Sequence, residues 1–485
     1  MEILETLEVI PDPVSLIESM RAVGYTLEAA VADIVDNSLS ADAARIHVKY
    51  DAVEKPFVAI LDDGFGMSPD ELTNAMRHGS SNPADRRAIG DLGRFGLGLK
   101  TASLSQCRRL TVISKKGGIV SSRRWDLDVV AQLGAWAVVV PQPSELRALP
   151  MYARLENQTS GTLVIWEDLD RMIAGAKDPA AEMTAKMGPL FEHLALVFHR
   201  FTSGDSSNAA IEITVNSLRL PARDPFLGTN HFRQALEGQV IRHERGSVSV
   251  VPYILPPVHN LTPEQISVAG GREGLRGTQG FYVYRGRRLV IWGTWFRLVP
   301  KDEFYKLTRV QVDIPNSFDD LWALDIKKSA AYPPDVIRDR LRQLIPHFAG
   351  VSKKTITFKG RRAKSAVADP LWTRSELPGR RVAYTPNVDH PLLMQIAEAI
   401  PRDKQSSFQI LLDLLGRSLP IESIYADMSS DDVQSTDPAL ASELSLIASQ
   451  LMSISGMTLD QILEMDPFVH HMSLHEHMRR EIENV

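Results

Sequence analysis

The stretch Gly90-Asp91-Leu92-Gly93-Arg94-Phe95-Gly96-Leu97-Gly98-Leu99-Lys100-Thr101-Ala102-Ser103 constrains the fold more than any other part of the chain. Glycines at 93, 96 and 98 allow backbone N–H groups to turn inward as an anion nest, ahead of a helix start near Lys100. Two familiar phosphate loops do not fit. A Walker A loop needs Gly-Lys-Thr in succession, and here Leu99 separates Gly98 from Lys100. A dinucleotide fingerprint needs G-x-G-x-x-G after a strand, whereas this segment reads G-x-x-G-x-G. Taken alone, it is equally a mobile glycine-rich surface loop.

Upstream, Leu27 to Ser40 has apolar residues at 27, 30, 31, 34 and 35, the spacing of one helix face. Asp33 and Asn37 are four apart, so they stand within about 40° of each other on that helix. A carboxylate beside a carboxamide suits two tasks: Asn37 can offer an oxygen to Mg²⁺, and Asp33 can orient or deprotonate a water. Glu28 falls on the opposite side and is left out. The plain alternative is an amphipathic helix with a solvated polar face.

Between these two segments, Leu61-Asp62-Asp63-Gly64-Phe65-Gly66-Met67 follows the strand-like run Phe57 to Leu61. The D-x-G-x-G pattern puts Asp62 at the strand end, with glycines that let a flat ligand approach the backbone. A buried carboxylate that accepts an exocyclic amine selects adenine, because a ligand without that donor leaves the charge unpaired. Asp-Gly is also a common hairpin turn.

In this order, the three motifs and the later strand Ser160-Gly161-Thr162-Leu163-Val164-Ile165-Trp166 resemble the Bergerat nucleotide-binding fold. This is the GHKL superfamily of gyrase, the large heat-shock chaperones, histidine kinases and MutL. The resemblance implies an α+β architecture: a Bergerat α/β sandwich with a mixed sheet under helices, a ribosomal-protein-S5-like transducer domain, and a helical C-terminal region. The implied cofactors are ATP and Mg²⁺. Asp62 would bind the adenine amine, with Gly64, Gly66 and Met67 around the ring and Thr162 near Asp62 and its water. Asn37 would hold the metal. Gly93, Arg94, Phe95, Gly96, Gly98, Leu99 and Lys100 would belong to a lid over the phosphates. Residues 77–89 would complete the lid, with Arg86 and Arg87 read as solvated.

Two departures from the family pattern stand out. Hydrolysing members generally carry Glu as the general base, where this chain has Asp33, a methylene shorter. A misplacement on that scale can cost about 10²-fold in rate. Ser40 stands where many relatives have Asp. Hydrolysis is accordingly expected to be slow.

The expected domains are 1–170 for ATP binding, 171–345 for the transducer, 346–380 for a basic, proline-containing linker and 381–485 for a helical end. In the second, a helix is expected over Met187 to Phe201, followed by strands including Ile211 to Val215. Gly280 to Leu289 resembles a MutL strand. Lys327 or Lys328 lies where a transducer lysine reaches the γ-phosphate. The pattern is most similar to prokaryotic MORC-like and MutL-related ATPases, found in restriction or anti-phage gene clusters. It implies a Mg·ATP-dependent homodimerising clamp on DNA, in a prokaryotic defence or restriction pathway with a partner nuclease. A chaperone-like clamp on protein, or an ATP-binding scaffold with little hydrolysis, are the alternatives.

Composition limits the partners. Cys107 is the only cysteine, so disulfides within the chain are impossible, and it reads as a small buried hydrophobe. A cytoplasmic location is expected, with no membrane span. The net charge of −6 over 485 residues confines any DNA contact to local patches. Two are candidates: Arg285, Arg287 and Arg288, and the strip 353–364 with Lys353, Lys354, Lys359, Arg361, Arg362 and Lys364. The strip is equally a solvated linker. His470, His471, His475 and His477 read as a histidine-rich amphipathic helix rather than a metal site.

Overall fold

The structure is a computed structural model. It describes residues 10–22, 24–53, 55–79, 98–204, 209–319, 321–322, 333–357, 371–377, 381–419, 438–465, 468 and 474–483. They divide into two compact units, 1–358 and 359–485.

The first unit opens with a mixed seven-stranded sheet in the order β4-β3-β5-β2-β1-β6-β7. Its strands are β1 (Arg45–Asp51), β2 (Phe57–Asp62), β3 (Arg109–Lys116), β4 (Ile119–Asp126), β5 (Gly161–Glu167), β6 (Glu212–Val215) and β7 (Leu218–Arg219). Strand β2 is apolar on both faces because both are covered. Val58 and Ile60 join the main core beneath the helix Leu27–Ser40, while Ala59 and Leu61 face a smaller core with Leu146, Tyr152 and Leu155. Thr26 caps that helix by accepting from the Ala29 amide.

The chain returns to this sheet late. The strand Glu212–Val215, expected within the second domain, instead pairs in parallel with β1, Ile46 opposite Ile213 and Val48 opposite Val215. The preceding helix runs Pro179–Val197, earlier than the expected start at Met187, because Asp178 caps it and Pro179 occupies the first turn. Its Met183, Met187, Leu190 and Leu194 belong to the same core as the helix Leu27–Ser40.

A second sheet, of six strands, follows: β8 (Gln234–Ala235), β9 (Gln239–His243), β10 (Gly246–Ile254), β11 (Gly280–Arg285), β12 (Arg288–Thr294) and β13 (Thr308–Ile314). Its core takes in Ile337, Leu341, Ile345 and Phe348 from the helix Asp335–Thr357. This helix corrects the linker reading at its start: residues 346–357 are helical, with Pro346 inside the element rather than ending it.

In the second unit, Trp372–Leu377 and Arg381–Pro386 form an antiparallel hairpin, so neither the end of the linker nor the start of the helical region is as expected. Helices follow at Pro391–Ala399, Gln405–Arg417, Pro438–Ser455, Leu459–Leu463 and His475–Glu483. In the last, His475 Nε2 lies 2.9 Å from the Phe468 carbonyl and His477 faces Glu481. No helix among the described residues is long and apolar enough to cross a membrane.

Candidate functional site

The site is built around Asp62, at the C-terminal end of β2, only 6% exposed. Pairing of Leu61 with Leu163 brings the start of β5 alongside it. Its Oδ1 accepts from the backbone amides of Gly64 and Thr162, both at 3.0 Å, and its Oδ2 accepts from the Ser38 hydroxyl at 2.8 Å. Burial raises the Asp62 carboxyl above the usual carboxylate range, against the pull of those three hydrogen bonds. A carboxylate has about four lone-pair positions. Three are taken, which leaves room on Oδ2 for one further N–H donor.

Two glycines beside Asp62 stand where a side chain would not fit. At Gly66, φ is +69°, and a Cβ would stand 2.1 Å from the Lys115 carbonyl oxygen. At Gly161, φ is +145°, and a Cβ would stand 2.2 Å from the Asp62 carbonyl oxygen. Ser114 of β3 joins the two segments: its hydroxyl accepts from the Met67 amide at 2.8 Å, donates to the Gly161 carbonyl at 3.1 Å and lies 2.9 Å from the Thr162 hydroxyl.

The helix Leu27–Ser40 carries the remaining polar groups. Asn37 is exposed, whereas Asp33 is 9% exposed and accepts from the Tyr25 hydroxyl at 3.3 Å. Gly98, at the start of the helix Gly98–Leu104, faces Asp33: a Cβ there would lie 3.7 Å from its Oδ2. An exposed amide oxygen next to a buried carboxylate is a hard-oxygen donor set of the type Mg²⁺ accepts while keeping several waters. Among the described residues no cluster of three or more His, Cys, Asp or Glu forms a metal site.

Lys100 is almost fully buried, and its ammonium donates to the Ala75 carbonyl at 2.8 Å. Burial lowers it to about 8. Leu99 is half-buried against the main core. Gly93, Arg94, Phe95, Gly96, Arg86, Arg87, Lys327 and Lys328 lie outside the described residues, as do Lys359, Arg361, Arg362 and Lys364. The helix Asp335–Thr357 includes Lys353 and Lys354.

The arginine cluster is a correction. Arg285 and Arg288 are each 5% exposed, Arg285 bonded to Asp319 at 2.6 Å and Arg288 to Asp36 at 3.2 Å. Arg287 folds its guanidinium over the Phe201 ring, 4.8 Å from the centroid, and donates to the Arg200 carbonyl. The first two are committed to carboxylates inside the protein and are not a phosphate-facing patch. Cys107 is buried and free, and burial raises its thiol.

The sequence reading missed the roles of Ser38, Ser114, Tyr25 and Asp36. Ser114 had a signal, since it is a hydroxyl following the largely apolar run Leu110 to Ile113; the other roles depend on contacts between distant segments.

Residues 25–162 match a family described as histidine kinase-, DNA gyrase B- and HSP90-like ATPase. The chain is 28% identical over 193 residues to ATPase morc-1 of Caenorhabditis elegans, covering 31% of this chain and 22% of that protein. It is 36% identical over 123 residues to DNA mismatch repair protein MutL of Paramagnetospirillum magneticum, covering 24% and 19%. With ATPase MORC2 of Homo sapiens it shares 28% identity over 122 residues, covering 24% and 12%. The chain thus spans less than a quarter of the length of these relatives.

Proposed function

We propose that this chain, which over residues 25–162 matches the histidine kinase-, DNA gyrase B- and HSP90-like ATPase family and is similar to the MORC ATPases and MutL, binds ATP with Mg²⁺, hydrolyses it slowly and uses it to close a homodimeric clamp. The observation that carries the reading is Asp62: a buried carboxylate with three donors fixed around it and capacity for one more. That capacity matches an adenine amine. A purine bearing a carbonyl in the same place would put two acceptors face to face, at a cost of about 1–3 kcal/mol.

Asn37 would hold Mg²⁺, which when bound neutralises phosphate charge. Asp33, buried and oriented by Tyr25, would position the attacking water and take its proton. Gly64, Gly66, Met67 and Thr162 would line the adenine site. Lys100, with Leu99, Gly98 and the segment from Gly93 through Gly96, would serve the lid. Lys100 would have to exchange the Ala75 carbonyl for a phosphate oxygen when the lid closes.

The second sheet, β8 to β13, is read as an S5-like transducer, from which Lys327 or Lys328 would reach the γ-phosphate. Ordering of a lid by γ-phosphate contacts is a common order–disorder switch. DNA as the clamped partner, in a prokaryotic defence or restriction pathway with a nuclease, follows from analogy with MutL and MORC proteins; the strip 353–364 is its remaining candidate contact. A cytoplasmic setting accords with a single cysteine.

The deciding experiment is solution mass by light scattering, with and without a non-hydrolysable ATP analogue and Mg²⁺. Doubling of the mass on nucleotide addition is expected. An unchanged monomer that still binds the analogue would defeat the clamp and leave a scaffold. Retention of double-stranded DNA that weakens steeply with salt would separate a DNA clamp from a protein clamp.

A further inference from the structure

Strands β11 and β12 are joined by a two-residue turn, Gly286-Arg287, both with positive φ (53° and 71°), the primed geometry that keeps a hairpin tight. The turn sets Arg285 directly opposite Arg288. Two like charges in facing positions repel unless each is neutralised. Here each has its own carboxylate, on a different element. Arg285 grips Asp319 with two nitrogens, Nε to Oδ1 at 2.6 Å and Nη2 to Oδ2 at 2.5 Å. Arg288 Nε reaches Asp36 Oδ1, on the helix that also carries Asp33, Asn37 and Ser38.

Everything around Arg288 fixes its direction. Its guanidinium lies over the Phe198 ring at 4.9 Å, and Nη1 donates to the Leu289 carbonyl. His193 packs against Trp292 of the same strand, and burial, reinforced by Arg288, lowers its imidazole to about 3. It is therefore neutral and adds no second cation beside Asp36. Buried ion pairs contribute little net stability compared with an apolar pair of the same shape, and their best-attested use is to fix register.

We propose that Arg288 is a positioning residue of the nucleotide site, supplied by the second sheet: through Asp36 it sets the helix bearing Asp33 and Asn37, and so couples nucleotide binding to the β11–β12 hairpin. This rests on the reading of that helix as part of an ATP site.

The test is hydrogen exchange on the full chain, with and without a non-hydrolysable ATP analogue and Mg²⁺. In the wild type the analogue should slow exchange about tenfold both in residues 27–40 and in residues 280–294. In the double variant Asp36→Asn/Arg288→Met, which removes both charges, slowing in 27–40 should persist at saturating analogue while that in 280–294 is lost, and analogue affinity should fall because the coupling is reciprocal. Arg288→Lys, which keeps the cation but not the fork, is the second variant and should cut the response in 280–294 at least about threefold. Retained response of 280–294 in both variants would overturn the coupling. So would a wild type in which 27–40 responds and 280–294 does not. A wild type in which neither segment responds would overturn the ATP-site reading together with the coupling.

Discussion

The Ser38 hydroxyl donates to Oδ2 of Asp62 across 2.8 Å, joining the helix Leu27–Ser40 to the end of β2. It also accounts for the shape of the proposed specificity, because it occupies one of the two outward lone-pair positions. Asp62→Asn should keep the fold at least as stable as the wild type, since it removes a buried charge whose desolvation is unfavourable. Its amide oxygen can still accept from Gly64 and Thr162. Its amide nitrogen, however, would meet the adenine amine donor to donor. ATP binding should therefore weaken at least about 100-fold, as for a buried hydrogen-bonding group left unpaired. Titration calorimetry beside a thermal melt checks both halves; tight ATP binding by a folded variant would remove Asp62 from the site.

Asp33→Asn should bind ATP as the wild type does and lose turnover by roughly 10²-fold or more, the usual share of a general base. Steady-state phosphate release against a binding isotherm separates the two effects. Equal turnover would mean that Asp33 is not the base.

Lys100 gives a pH dependence. Burial lowers its ammonium from 10.5 to about 8, so the free protein loses this charge as pH rises through 8. A phosphate ligand needs the charged form. Affinity for the ATP analogue should therefore fall above pH 8, by at most about tenfold per pH unit for one proton, and Lys100→Met should be weaker but flat over that range.

His193 and His199 supply a second pH dependence, in stability. Burial holds them at about 3 and about 4, against an ordinary 6.5. As pH falls below 6.5 the unfolded chain gains two protons that the folded chain does not yet bind. Stability is thus full above 6.5 and is lost on acidification toward 4, at roughly 3 kcal/mol per pH unit once both are charged in the unfolded state. Urea unfolding at pH 7 and pH 5 measures it, and His193→Gln/His199→Gln should reduce the slope to the part that His78, held at about 4 by burial, and His47 still contribute.

Gly66→Ala should destabilise the protein by more than the about 1–3 kcal/mol of a left-handed residue alone, because the new methyl also meets the Lys115 carbonyl. Chemical denaturation reports the loss, and an unchanged midpoint would show that the 64–67 turn relaxes freely.

What was legible in the sequence was what local spacing encodes. The helix bearing Asp33 and Asn37 and the strand end at Asp62 follow from periodicity and turn chemistry within short windows, and the Gly-Thr start of β5 from the family resemblance. Contacts between distant segments were not legible. Arginines at 285 and 288 looked like a surface patch because a sequence displays charge but not the carboxylates at 36 and 319 that neutralise it. The basic, proline-containing composition of 346–380 suggested a linker, yet the helix Asp335–Thr357 runs through Pro346, its apolar residues Ile337, Leu341, Ile345 and Phe348 buried against the second sheet.

The parallel pairing of Glu212–Val215 with β1 has a practical corollary for dissecting this protein. A fragment ended at residue 170 would contain every nucleotide motif but would leave β1 as an open edge. It would also strip away Met183, Met187, Leu190 and Leu194, uncovering the apolar core they close. An unpaired strand beside uncovered apolar surface is a template for intermolecular pairing. The smallest autonomous ATP-binding piece therefore extends past Arg219, and aggregation of a shorter fragment would reflect a severed sheet rather than a failed active site.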